Sequence, residues 1–286
     1  MTEAISDYAR PTTLPEALAL LAAGPRTVLA GGTDLYPATQ AQRLAGPLLD
    51  ISALEGLTGI TAGPQGLRIG AATTWTALAE AELPPALAAL QQAARLVGGR
   101  QIQNAGTLGG NLCNASPAAD GVPPLMVLGA EVELASVRGV RRLPLAGFVL
   151  GARKTARAPD ELLTAVHVPA PALAGSSAFV KLGARAWLVI SIAMVAVRIV
   201  AERGRVAEAA LAVGACSAVA CRLPLVEAAL IGAPLAEAAG RITEAGVAAA
   251  LSPIADIRGS AEYRAGAALV LLRRAVAQAL PVEETA

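Results

Sequence analysis

The segment VLAGGTDL at 28–35 runs three apolar residues into two adjacent glycines and then sets a hydroxyl beside a carboxylate. A second doublet, in TLGGN at 107–111, lies among side chains of the same kind, whereas Gly98 and Gly99 lack such neighbours and read as a helix end. A glycine pair after a strand is an ordinary turn signal. Two pairs flanked by hydroxyl, amide and carboxylate groups ask for more. Positions without a Cβ let main-chain amides come close to a neighbour that any side chain would hold off.

Composition narrows what that neighbour can be. With 286 residues and 55% hydrophobic content the chain can bury one large core or two modest ones, and its length favours two domains. Charged residues make up only 16% and the net charge is +1, so there is no basic face for a phosphate backbone and nucleic acid is not an expected partner. The most apolar run, AWLVISIAMVAV at 186–197, stops at Arg198, well short of the roughly 20 residues of a membrane span, and reads as a buried strand. The opening MTEAISDYAR is acidic early and has no apolar core of a secretory signal, so a cytoplasmic location is expected.

Resident chemistry is scarce. The three cysteines, Cys113, Cys216 and Cys221, form no C-x-x-C pair and are too few for a four-thiolate iron-sulfur cluster. His167 is the only histidine and sits in the apolar run LLTAVHV, which reads as a structural strand position. Ser-His-Asp and Cys-His schemes and any zinc site with two histidines therefore fall away. Whatever reaction takes place must be brought in by something bound.

Along the chain, TLPE at 13–16 is a capping box with a proline in the first turn of a short amphipathic helix that ends at Gly24. A strand is expected at 26–30, then strands near 48–51 and 67–69 and helices at 75–81 and 85–94. Residues 100–120 show little periodicity and read as one long loop, a kind that is usually functional. Strands resume near 132–134 and at 162–168, before Pro169, Ala170 and Pro171 mark a boundary. Beyond it, strands at 178–181, 188–200 and 207–214, with a turn at Gly204 and Arg205, precede helices at 224–231, 235–250 and 260–279. Strands followed by helices describe a small α+β domain.

Nucleotide motifs can be tested one by one. No two glycines are separated by a single residue, so G-x-G-x-x-G is absent; Lys154 and Lys181 are the only lysines and neither follows a glycine, so a Walker loop is absent too. Brought together, the two doublets make a reasonable pyrophosphate site, with the amides of Gly31, Gly32, Gly109 and Gly110 as donors. Thr33, Thr107 and Asn111 would add side-chain donors, while Asp34 and Asp120 would accept from sugar or ribityl hydroxyls. On the residues alone, both doublets could equally be tight packing points.

The sequence resembles the FAD-binding medium subunits of the molybdenum hydroxylases, the xanthine and carbon monoxide dehydrogenase group. The matching segments are AGGTDL at 30–35, IGA at 69–71, RQIQNAGTLGGNL at 100–112 with ASPAAD at 115–120, GA at 129–130, DELL at 160–163, FVK at 179–181 and DIRGSAEYR at 256–264. They run in family order over 11–280. The resemblance implies an α+β chain with a two-lobed FAD-binding domain of the vanillyl-alcohol-oxidase (PCMH) type at 1–170, its lobes about 1–55 and 56–170. A smaller C-terminal domain of three strands plus helices would occupy 171–286.

By the same resemblance the first loop, Val28, Leu29, Ala30, Gly31, Gly32, Thr33, Asp34 and Leu35, holds the pyrophosphate together with Thr107, Leu108, Gly109, Gly110 and Asn111. Asp120 is implied on the ribityl or ribose side, Val97 and Ile102 along the ring pocket, Leu163 near the isoalloxazine, and Lys181 reaching the flavin from the C-terminal domain. Val97 stands where some relatives carry an aromatic residue over the ring, with Tyr36 a local substitute; Cys113 reads as packing. No catalytic side chain and no metal ligand is expected on this chain. The implied enzyme is a heterotrimer, or its dimer. A large subunit carries the molybdopterin cofactor, a small one carries two iron-sulfur clusters, and this chain passes electrons through FAD to an external acceptor. The alternative is a self-contained FAD-dependent oxidoreductase of the same fold.

Overall fold

A computed structural model of the chain describes residues 7–40 and 44–280; the first six residues of the acidic opening lie outside them. The N-terminal lobe is a parallel sheet in which Leu48–Asp50 lies between Tyr8–Ala9 and Thr27–Leu29. Helix Leu14–Ala23 packs Ala17, Leu18 and Leu21 into its core. The capping box is formed: the Thr13 amide donates to Glu16 Oε2 at 3.3 Å, satisfying a donor that a helix start leaves orphaned.

The second lobe is an antiparallel sheet in the order Ile60–Gly63, Gly66–Gly70, Leu162–Pro169, Glu131–Ser136, Gly139–Pro144. Its central strand is buried along nearly its whole length, which is why its sequence shows no alternation. The pairing register shifts between Leu163 and Ala165, a bulge of the kind found beside binding sites. Helices Trp75–Glu80, Ala88–Leu96 and Val122–Val127 cover one face.

The expectation of a structureless 100–120 is corrected. Arg100–Ala105 and Leu108–Asn114 are short helices, and only the turn after Asn114 is irregular. Two glycines and an asparagine are poor helix formers, so no local signal marks the second helix. Tertiary contacts hold it: Thr107 accepts from the Gly110 amide as its N-cap, and the amides of Leu108 and Gly109 donate to the carbonyls of Thr73 and Ala71.

The C-terminal domain is an antiparallel sheet in the order Ser176–Leu182, Ala193–Glu202, Arg205–Gly214, Cys221–Arg222, with helix Ala261–Ala279 across it. A fourth, two-residue strand is thus added to the three expected. The expected strand at 188–200 begins only at Ala193; residues 184–191 form a loop in which Trp187, Leu188 and Ile190 are more than half exposed. The expected helix at 235–250 is broken into Leu235–Ala238, a 3-10 turn and Glu244–Ala248, which restarts where Thr243 caps the Gly246 amide. Among the described residues no helix is long and apolar enough to cross a membrane.

Candidate cofactor site

Where the two lobes and the C-terminal sheet meet, a cavity of about 840 Å³ opens, in the upper part of the size range of ligand pockets. All of the residues predicted for the site line it except Leu29 and Leu108. Those two are buried in the protein interior, Leu29 because strand alternation turns it away from Val28 and Ala30, Leu108 because it opens its helix on the core side.

The structure brings the two glycine segments into contact, by different means at each glycine. A Cβ on Gly31 would stand 1.7 Å from the Ala105 carbonyl oxygen, so the first loop meets the turn before Thr107 with no room for a methyl group. Gly32 has φ +69°, the left-handed turn that lets the chain leave the strand. Gly109 packs on the Ala71 backbone, where a Cβ would come within 2.7 Å of its oxygen. A Cβ on Gly110 would meet only the Thr107 hydroxyl, at 2.9 Å, and otherwise face the cavity.

The donors are therefore not shared as the sequence suggests. The amides of Gly109 and Gly110 are already engaged, by Ala71 O at 2.8 Å and Thr107 Oγ1 at 3.1 Å. This corrects the expectation that both doublets offer amides to an anion, because the second doublet lies inside a helix start. The amides of Gly31, Gly32, Thr33, Asp34 and Leu35 have no acceptor among the described residues. A run of unpartnered N–H groups along a cavity wall is the arrangement that anions recruit. Asn111 Oδ1 accepts from the Gly121 amide at 3.3 Å, and its side-chain nitrogen has no acceptor among the described residues. Trp75 supports this wall from below, its indole against Gly106 and Gly121.

Asp120 and Lys181, assigned separate tasks from the sequence, form a pair. The Lys181 ammonium donates to Asp120 Oδ2 at 2.6 Å, and the Ser191 hydroxyl donates to Oδ1 at 2.6 Å. All three side chains are almost wholly buried. Burial pushes the Asp120 carboxyl above the usual carboxylate range, and the charge and hydrogen bond of Lys181 and the Ser191 hydroxyl pull against it.

Other wall residues escaped the sequence reading. Arg153, Arg157 and Ile51 line the cavity, and so do Leu188, Val189 and Ile190 of the loop misread as strand. Among the described residues Arg153 and Arg157 form no ion pair with a carboxylate: Arg153 bonds the Asn114 side chain, and Arg157 bonds the Glu161 carbonyl at 2.6 Å. Both arginines lie within the stretch LGARKTARAP at 150–159, whose concentrated positive charge is the signal the sequence offers. Cys113 lines the cavity as well, with its side chain exposed to it. Among the described residues no cluster of His, Cys, Asp and Glu could hold a metal.

A two-lobed α+β domain with an anion-ready loop over such a cavity, joined to a smaller α+β domain that closes it, defines a dinucleotide-binding flavoprotein. Residues 3–171 match the family described as FAD binding domain in molybdopterin dehydrogenase, and residues 178–279 match the CO dehydrogenase flavoprotein C-terminal domain. The chain is 34% identical over 283 residues to a putative xanthine dehydrogenase FAD-binding subunit of Escherichia coli K12, covering 96% of each. It is 35% identical over 281 residues to the carbon monoxide dehydrogenase medium chain of Afipia carboxidovorans, again covering 96% of each. Among solved structures, a reconstituted CO dehydrogenase from Oligotropha carboxidovorans contains a chain that superposes with a TM-score of 0.87 at 33% identity, covering 98% of this chain and 99% of that one. The chain belongs to the family of FAD-binding medium subunits of the xanthine and carbon monoxide dehydrogenases, and it is an oxidoreductase flavoprotein subunit.

Proposed function

We propose that this chain is the electron-transfer subunit of a heteromeric molybdenum hydroxylase in the cytoplasm. It receives electrons from the iron-sulfur clusters of a small subunit, beside a large subunit that holds the molybdopterin cofactor, and passes them to an external acceptor. The observation that carries the reading is the row of amides at 31–35, unpartnered among the described residues, along a cavity walled by both domains. Bound FAD supplies one- and two-electron redox chemistry, and the protein supplies binding and orientation.

The chain's own residues divide the work of holding that group. The amides of Gly31 to Leu35 and the Asn111 side chain would hold the diphosphate, and Arg153 and Arg157 would add positive charge to the same cavity. Asp120, anchored by Lys181 and Ser191, would accept from sugar or ribityl hydroxyls. Val97, Ile102 and Leu163, with Leu188 to Ile190, would enclose the ring with aliphatic surface and exclude water. The FAD-binding domain in this reading ends near residue 170 and the C-terminal domain begins at 171.

Two measurements test the reading together. Co-expression of the chain with its neighbouring subunits should yield a complex that holds iron, molybdenum and FAD; a chain that purifies alone, carries FAD and turns over substrate without partners would favour the self-contained oxidoreductase. Gly110→Val should leave the apo-chain folded but weaken FAD uptake at least tenfold, because its branch enters the cavity; unchanged uptake would remove the second glycine segment from the site.

A further inference from the structure

Asp120 is reached by two side chains of the C-terminal domain, one from each end of a single loop. Lys181 lies near the end of strand Ser176–Leu182, and Ser191 lies just before strand Ala193–Glu202. Between them residues 183–190 make the loop whose Leu188, Val189 and Ile190 wall the cavity. The loop is closed at its base by the Ile192 amide on the Leu182 carbonyl at 2.8 Å. It has no slack inside: a Cβ on Gly183 would stand 2.3 Å from Val189, and the Arg185 guanidinium donates to the Leu188 carbonyl, where the backbone turns through φ +53°. The tip exposes Trp187, so the loop gains little hold from burial of its own side chains. Against the FAD-binding domain it has the Leu188 side chain packed on Gly99 and, as its polar anchor, the Asp120 carboxylate.

We propose that Ser191 is a positioning residue for the FAD site. Its hydroxyl and the Lys181 ammonium, at the two ends of the loop, grip the two oxygens of Asp120, so that carboxylate and cavity wall are held as one unit and bound FAD is retained. The inference rests on the FAD reading above and deepens it. Lys181 alone would leave Oδ1 of a buried carboxylate without a partner and the carboxylate free to swing about the ammonium; the second, short bond removes that freedom. Ser191 is itself buried, and among the described residues the partner of its hydroxyl is Asp120.

The test is the rate at which the full-length chain, loaded with FAD, releases it, followed by the recovery of free-flavin fluorescence. Ser191→Ala and Ser191→Cys should each release FAD about tenfold faster, the effect of losing one hydrogen bond to a charged group. The cysteine variant is the discriminating one, because it refills the volume with a much weaker donor. A Ser191→Cys chain that releases FAD at the wild-type rate would reduce Ser191 to packing and overturn the proposal. In an Asp120→Asn background the charge that Ser191 holds is gone, and Ser191→Ala should add less than twofold; a full tenfold increment there would show that Ser191 acts by another route and overturn it equally. A wild-type chain that takes up no FAD would instead sink the cofactor reading itself, an outcome distinct from uptake with unaltered release.

Discussion

Residue by residue, the site is a trade between groups that are satisfied within the protein and groups left for a ligand. Lys181 belongs to the first kind, and this sets its energetic role. Its ammonium pairs with a carboxylate in a setting where both side chains are less than a tenth exposed. Replacing it with an apolar residue leaves an uncompensated buried charge, a loss of about 3–5 kcal/mol by the general behaviour of such pairs. The pH dependence follows from the direction of the Asp120 shift. Its carboxyl in the fold lies above the unfolded value because burial dominates. The folded chain therefore binds the proton more readily, and stability falls as pH rises from the ordinary aspartate value through the folded one. Without Lys181 the folded value moves higher still and the window widens. Lys181→Met should thus be least destabilised at mildly acidic pH and most at neutral pH, as read from urea midpoints across that range. A deficit independent of pH would mean that Asp120 stays ionised without its partner.

At the scale of elements, helix Ala261–Ala279 shows what a motif can hold that is not a site. Ser260 caps it, accepting from the Tyr263 amide at 3.1 Å. One turn in, Arg264 lies fully buried, donating to the carbonyls of Ile192 and Ala215 at 2.6 and 2.7 Å and to Asp256 at 2.6 Å. The guanidinium thus ties the helix to both ends of a hairpin and to the segment that carries Ser191. Arg264→Met should cost about 2–6 kcal/mol, from two buried carbonyls left unpaired, and Arg264→Lys should recover only part of it because an ammonium lacks the planar fork. Chemical denaturation would measure both; equal stability of the two variants would deny the fork its role.

The same elements show what a single sequence can reveal. The capping box at Thr13 is local and legible, whereas the cap at Thr243 lies inside what reads as one helix over 235–250. The turn at Gly31 and Gly32 was legible, because a double glycine after a strand is a turn signal, but its place on a cavity wall was not, since the same residues could equally be tight packing points. The helix Leu108–Asn114 was not, since its stability comes from Thr73 and Ala71, more than thirty residues upstream. The loop at 184–191 was misread because apolar side chains that face a ligand pocket look the same in sequence as those that face a core. The Asp120–Lys181–Ser191 cluster joins residues 61 and 71 positions apart, and pairing at that range leaves no periodic trace.

Across the whole molecule, the two domains do not merely touch. One hydrophobic core runs through Leu125 and Val127 of the FAD-binding domain into Phe179, Met194, Ala196 and Ala212 of the C-terminal sheet. Polar contacts reinforce it: Arg198 and Arg222 donate to the Val127 and Met126 carbonyls at the end of helix Val122–Val127, groups that a helix terminus leaves orphaned. The Phe179 amide donates to the Gln92 side chain at 2.7 Å, and the Ala89 amide donates to Ser177 at 2.8 Å. Domains joined by a shared core should lose their structure together. Calorimetry of the chain is therefore expected to give a single transition whose calorimetric and van't Hoff enthalpies agree. FAD at one hundred times its dissociation constant should move that transition upward as a unit, by about 2.7 kcal/mol of added stability, since the cavity wall is built from both domains. Two resolved transitions, with FAD shifting only the one assigned to the N-terminal domain, would show that the C-terminal sheet and its loop contribute nothing to holding the cofactor.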